Sequence, residues 1–184
     1  TGTGVAAPKA IPPAPSVSVL DDCGISTLTA GSFTGSLSWN NAATTTFITV
    51  NQAATYTVTQ TVNGCTSETG TGVAAPKAIP VLSGSLPASA VSGTPFSYIP
   101  ASITAGTTFA WSRAAVPGIS NAAAVGTGTI SETLVNTLST AANVTYVITL
   151  TANGCINTQN VVVSVSSVPV VTTVSPANGE TGVS

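Results

Sequence analysis

The segments TYTVTQTVNGC (Thr55–Cys65) and TYVITLTANGC (Thr145–Cys155) decide the fold. In the first, Tyr56, Val58 and Val62 share one side of an extended chain, while Thr55, Thr57, Thr59 and Thr61 share the other. Val144, Tyr146, Ile148 and Leu150 repeat the two-residue period in the second. Each run enters Asn-Gly, the pair favoured where both central residues of a type I′ turn need positive φ. Each segment is therefore a strand running into a tight hairpin.

Working outward, further strands are expected at Ser16–Leu20, Ile25–Ala30, Gly35–Trp39 and Thr45–Val50, then at Pro95–Ile99, Thr107–Ser112 and Thr129–Val135. Gly, Asn and Pro punctuate them, and no stretch carries a helical period. Trp39 and Trp111 each sit in an early strand. These features predict an all-β chain of small β-sandwich units with Trp39, Trp111, Tyr56 and Tyr146 in their cores.

The units are repeats. TGTGVAAPKAIP at Thr1–Pro12 recurs letter for letter at Thr69–Pro80. The expected organisation is 1–12 as the end of a preceding repeat with its linker, 13–80 as one repeat with its linker, 81–168 as a longer repeat, and 169–184 as a linker or the opening of another domain. The recurring string is read as linker, with Gly2–Gly4 and Gly70–Gly72 as flexible strand ends. The absence of an initiator Met and of an export signal suggests a fragment of a longer chain.

Composition narrows the function. Of 184 residues 43% are hydrophobic but only 4% charged, with a formal net charge of −2, so Thr, Ser and Asn must cover the surface. No basic stripe is available for nucleic acid, and no apolar run is long enough to insert in a membrane. The chain has no His, which removes the usual triad base and the commonest metal ligand. Asp21 and Asp22 could offer oxygens to Ca²⁺, but no Asp-rich loop accompanies them and a solvated turn is the simpler reading. Stacking of sugars on Trp39 and Trp111 is the alternative to core packing. No catalytic residue, cofactor or metal site is expected, and the chain is read as non-enzymatic.

Cys23 and Cys65 flank Trp39, an order that resembles the Cys…Trp…Cys pattern of immunoglobulin domains, although Cys65 follows a hairpin turn rather than lying mid-strand. The expectation is a Cys23–Cys65 disulfide, with Cys155 left unpaired, either buried and inert or free to link another chain.

The stretch DDCGISTLTAGSFTGSLSWNNAATTTFITVNQAATYTVTQTVNGC followed by GVAAPKAIP resembles the Ig-like repeats of giant surface adhesins of Bacteroidetes. The stretch SGTPFSYIPASITAGTTFAWSRAAVPGISN with VTYVITLTANGCINTQNV is similar to the PKD-like repeats of the same proteins. Members usually carry a Cys just before SGTPF, where this chain has Val91, which would account for an unpaired Cys155. The resemblance implies tandem Ig-like and PKD-like sandwiches in an extended array, exported by the type IX route, attached at the outer membrane, and serving adhesion or gliding motility. The partners it implies are neighbouring repeats, and surface polysaccharide or an abiotic surface. Runner-up readings are repeats that bind glycans or surfaces directly, and the accessory stalk of a secreted enzyme.

Overall fold

The computed structural model describes residues 8–87 and 89–167. The expected lead-in at 169–184 and the first seven residues of the recurring string lie outside them. The described chain is all β and divides into two compact units, one of residues 8–80 with 104–107 and 151–157, the other of 81–103, 108–150 and 158–167.

In the first unit, β1 (Ser16–Asp22) pairs antiparallel with β2 (Ile25–Gly31) through a two-residue turn, Cys23-Gly24. The order of residues in the chain then gives β3 (Ser36–Trp39), β4 (Phe47–Val50), β5 (Ala54–Val62), β6 (Cys65–Thr66) and β7 (Gly70–Ala74). Strands β1, β2 and β4 form one sheet, while β5 pairs with β3 on one side and with β6 and β7 on the other. Alternation along the strands buries Leu28, Ala30, Leu37, Trp39, Ile48, Val58 and Ala74 as the core.

The recurring string is more than a linker. Its second copy supplies β7, whose Ala54↔Ala74 to Val58↔Gly70 register closes the sheet edge along β5. Its glycines are packing residues rather than loose ends: a Cβ on Gly70 would collide with the Pro15 carbonyl, and one on Gly72 would meet Val17, Val19 and Leu28 side chains. Three residues separate Thr66 from Gly70 where only two separate their partners Thr61 and Val58, so the edge carries a one-residue bulge. Ser67 sits there, donating its backbone N–H to the Gln60 carbonyl at 2.9 Å and accepting the Gln60 N–H on its hydroxyl at 3.0 Å.

The second unit holds β8 (Leu82–Ser83), β9 (Ser89–Ala90), β10 (Pro95–Tyr98), β11 (Ala101–Ser102), β12 (Thr108–Arg113), β13 (Ala124–Thr127), β14 (Ile130–Thr133), and the parts of β15 (Ala142–Ala152) up to Leu150 and of β16 (Cys155–Val165) from Thr158 on, the hairpin between them belonging to the first unit. A five-stranded sheet runs β13-β12-β15-β16-β9, with β9 parallel to β16, and β10–β14 and β8–β11 form two short ladders. Val144, Tyr146, Ile148 and Leu150 of β15 and Val161, Val163 and Val165 of β16 are fully buried, with Phe96, Tyr98, Ile130 and Leu134 packed among them. The Asn63-Gly64 and Asn153-Gly154 turns all have the positive φ that a type I′ turn demands, 50° and 81° in one, 53° and 79° in the other.

Candidate functional site

Two constellations stand out, a covalent clasp in the first unit and a buried ionic network in the second. The clasp starts at the β1–β2 turn. The Lys77 N–H donates to the Asp22 carbonyl at 2.9 Å and the Gly24 N–H to the Lys77 carbonyl at 2.8 Å, so the turn and the tail of the recurring string form a short parallel bridge. Ile79 packs on Gly24, where an added Cβ would come within 2.9 Å of its Cδ1. Cys23 is bonded to Cys155, Cα to Cα 5.6 Å, and Cys155 is fully buried. The Asn157 amide donates to the Pro80 carbonyl at 2.9 Å.

This corrects the expected Cys23–Cys65 bond and the expected unpaired Cys155: the free cysteine is Cys65. The reason is geometric. Cys65 pairs with Val62 at one end of β5, whereas Cys23 bridges Lys77, just beyond the Ala74 that pairs with Ala54 at the other end. Nine residues of strand separate the two places by roughly 26 Å, and a disulfide tolerates Cα separations of no more than about 7 Å.

Asp21 serves the same clasp. Its Oδ1 accepts from the Ser26 hydroxyl at 2.5 Å and from the Ala75 N–H at 2.9 Å, and these bonds hold its carboxyl below the usual range, with Lys77 adding a smaller attraction. Asp21 thus ties the turn to the string, while the Asp22 side chain accepts the Cys23 N–H at 2.7 Å within the turn itself. Gln60 is the buried counterpart at the other end of the unit. Its Oε1 accepts from the Thr34 and Gly35 N–H groups at 2.9 and 3.1 Å, and its Nε2 donates to the Pro13 carbonyl at 2.7 Å. Sequence reasoning missed Gln60, although a lone Gln on the apolar side of TYTVTQTV was a visible signal.

In the second unit, Arg113 at the end of β12 is 2% exposed and grips Glu132 of β14 in a two-pronged pair, Nε to Oε2 and NH2 to Oε1, both 2.8 Å. NH2 also donates to the Ala122 carbonyl at 2.7 Å. Tyr146 of β15 donates its hydroxyl to Glu132 Oε2 at 2.6 Å. The guanidinium hydrogen bonds hold the Glu132 carboxyl below its ordinary range, and Glu132 raises Arg113 in return. Burial first, then the bond to Glu132, pushes the Tyr146 phenol well up. Both carboxylate oxygens are committed to partners that keep the group ionised, which suits a structural anchor and not a proton donor. The Tyr146 ring stacks on Phe96, centroids 6.1 Å apart, and meets Trp111 edge-on at 5.8 Å.

Of the aromatic residues singled out from the sequence, Trp39 is 2% exposed with its indole N–H on the Thr45 carbonyl at 2.9 Å, and Tyr146 is fully buried. Tyr56 and Trp111 are half-buried against their cores. The Trp111 ring lies over Gly126, where a Cβ would approach it to 2.5 Å, so its face meets backbone. Among the described residues no group of three or more acidic, Cys or His side chains converges as a metal site.

Residues 89–169 match the family described as a PKD-like domain. A comparison with curated protein sequences finds no match. Among solved structures, the chain is similar to the FN1–FN3 domains of chicken CNTN1, with 7% identity and a TM-score of 0.38 over 86% of this chain and 68% of that one. Extracellular domains 3–5 of Drosophila OTK give 11% identity and a TM-score of 0.36 over 84% and 62%. Sidekick-1 immunoglobulin domains 1–5 give 12% identity and a TM-score of 0.33 over 83% of this chain and 39% of that one. The described residues are all β, and residues 89–169 are similar to a PKD-like domain.

Proposed function

We propose that this chain is a structural, non-catalytic stretch of a large cell-surface adhesin, in which such repeats form a stalk or fibre. The observation that carries this reading is the recurrence of TGTGVAAPKAIP. Its second copy is a working part of a repeat, closing a sheet as β7 and bridging the Cys23 turn, so a first copy carries the sequence of the same part for another repeat. The polar groups that could have served chemistry support it too. Arg113, Glu132, Tyr146, Gln60 and Asp21 all spend their hydrogen bonds inside the units.

A disulfide accords with an exported, oxidising setting. Export by the type IX route, attachment at the outer membrane and a role in gliding or static adhesion are the finer parts of the proposal, and they rest on the resemblance of the VAAPK and WSRAAVPGISN strings. Surface polysaccharide or an abiotic surface is the proposed adhesive target of the whole protein.

Small-angle scattering of chains carrying increasing numbers of these repeats tests the stalk. The maximum dimension should grow in proportion to repeat number, and a compact particle would overturn the reading. Beads displaying the chain, offered polysaccharide and abiotic surfaces beside an unrelated sandwich domain, separate spacer from binder: retention above the control would make each repeat adhesive in its own right.

A further inference from the structure

The clasp at Cys23–Cys155 has an unfilled counterpart elsewhere in the first unit. Lys77–Pro80 has the same letters as Lys9–Pro12, and Asn153-Gly154-Cys155 the same as Asn63-Gly64-Cys65. In the clasp, the Asp22–Gly24 turn lies against both segments, bridged to Lys77, packed on Ile79 and bonded to Cys155. In the counterpart, Lys9, Ile11, Pro12, Val62, Asn63 and Cys65 line an open cleft of about 690 Å³. The two segments are already fastened together, Lys9 Nζ donating to the Asn63 carbonyl at 2.9 Å. What differs is the cover: Cys65 is a half-buried free thiol where Cys155 is buried and bonded, and Ile11 is 71% exposed where its equivalent Ile79 is 44% exposed.

We propose that this cleft is the docking site for an Asp-Cys-Gly turn, like Asp22–Gly24, carried by a preceding repeat, and that Cys65 forms a disulfide with its cysteine. The proposal deepens the array reading and rests on it: each repeat would be clasped through its hairpin cysteine to the turn of the repeat before it. A low-molecular-weight disulfide such as oxidised glutathione is the oxidant. One of the two protein thiolates attacks it, releasing one glutathione thiol; the second attacks the mixed disulfide, releasing another. The protein thiols lose two protons and two electrons as the new S–S bond forms.

The test extends the chain by placing residues 13–68 ahead of Thr1, so that Thr1–Pro12 completes an added repeat, with Cys65→Ser in that added copy alone. After oxidation with glutathione disulfide and thiol blocking, the expected result is no alkylated cysteine and, in a digest with trypsin and chymotrypsin, which cuts between Cys23 and Cys65 at Trp39 and Tyr56, a cross-link between the added Cys23 and the native Cys65. An alkylated native Cys65, or an added Cys23 joined elsewhere, would overturn the proposal. Because the added repeat is supplied by design, this outcome is independent of whether scattering supports a stalk. A second measurement does not need the added repeat to fold: the unextended chain is offered the peptide Leu-Asp-Asp-Cys-Gly-Ile-Ser with its thiol activated as a thionitrobenzoate disulfide. Cys65 should release the chromophore at least about 10-fold faster than with the reversed peptide, as docking would raise the local concentration of the activated disulfide; equal rates would sink the docking site.

Discussion

The two units solve one problem with different means. Among the described residues, the core of the second holds fourteen buried apolar side chains and that of the first only seven. The second can therefore house a desolvated ion pair and still rest on apolar packing, while the first leans on one covalent bond, a satisfied Gln60 and glycines that let β7 approach β1. A small sandwich with a thin core needs fasteners, and the fasteners are where its unusual residues lie.

Reduction of Cys23–Cys155 should separate the two units most. The ring it closes spans 132 residues of sequence, for which the chain-entropy argument sets an upper bound of about 5 kcal/mol, less when the second unit stays folded while the first melts. Reductant, or Cys23→Ser, should lower the first unit's melting transition by roughly 10 °C or more while the second unit's barely moves, as scanning calorimetry would record. Equal shifts in both units would erase the distinction.

Next in size is Arg113→Met, which strands the Glu132 carboxylate and should cost the second unit about 3 kcal/mol or more in a denaturant titration. Adding Glu132→Leu should recover most of that loss, because the charge left without its partner is then gone. Gln60→Ala is the matching cut in the first unit. It leaves the Thr34 and Gly35 N–H groups and the Pro13 carbonyl without their partner, for an expected loss of about 1 to 3 kcal/mol by the same titration.

Acid gives the smallest effect. Glu132 titrates lower in the folded chain than in the unfolded one, so its contribution is whole above the unfolded carboxyl range and drains away as pH falls through the folded value. The second unit should melt lower at pH 3 than at pH 7, and Glu132→Gln should flatten that dependence.

Much of the fold was legible in the residues because period-two alternation and Asn-Gly pairs are local signals. The alternation of Val144, Tyr146, Ile148 and Leu150, running into Asn153-Gly154, lies within strand β15, Ala142–Ala152. Less was legible at the edges. TGTGVA, with its three small residues and no apolar alternation, reads as a linker, and only the close approach of Val17, Val19 and Leu28 to Gly72 explains why a strand there must be glycine-rich. The cysteine pairing was beyond sequence order, since Cys…Trp…Cys is satisfied by Cys23, Trp39 and Cys65 without placing the two sulfurs at the same end of the sandwich. The informative sign was the Asn-Gly before Cys65, which puts that residue past a hairpin at the end of β5. Likewise Arg113 and Glu132, nineteen positions apart, meet only because β12 and β14 bring them together.

The clasp joins Cys23 to Cys155 and leaves Cys65 free, and a digest reads this directly. Lys9, Lys77 and Arg113 are the chain's only tryptic sites, so Cys23 and Cys65 share the peptide 10–77 while Cys155 lies on 114–184. Digestion of the thiol-blocked chain without reductant should yield those two peptides covalently joined, with the alkylated residue at Cys65. Separate peptides, with Cys155 alkylated and Cys23 bonded to Cys65 inside 10–77, would contradict the account.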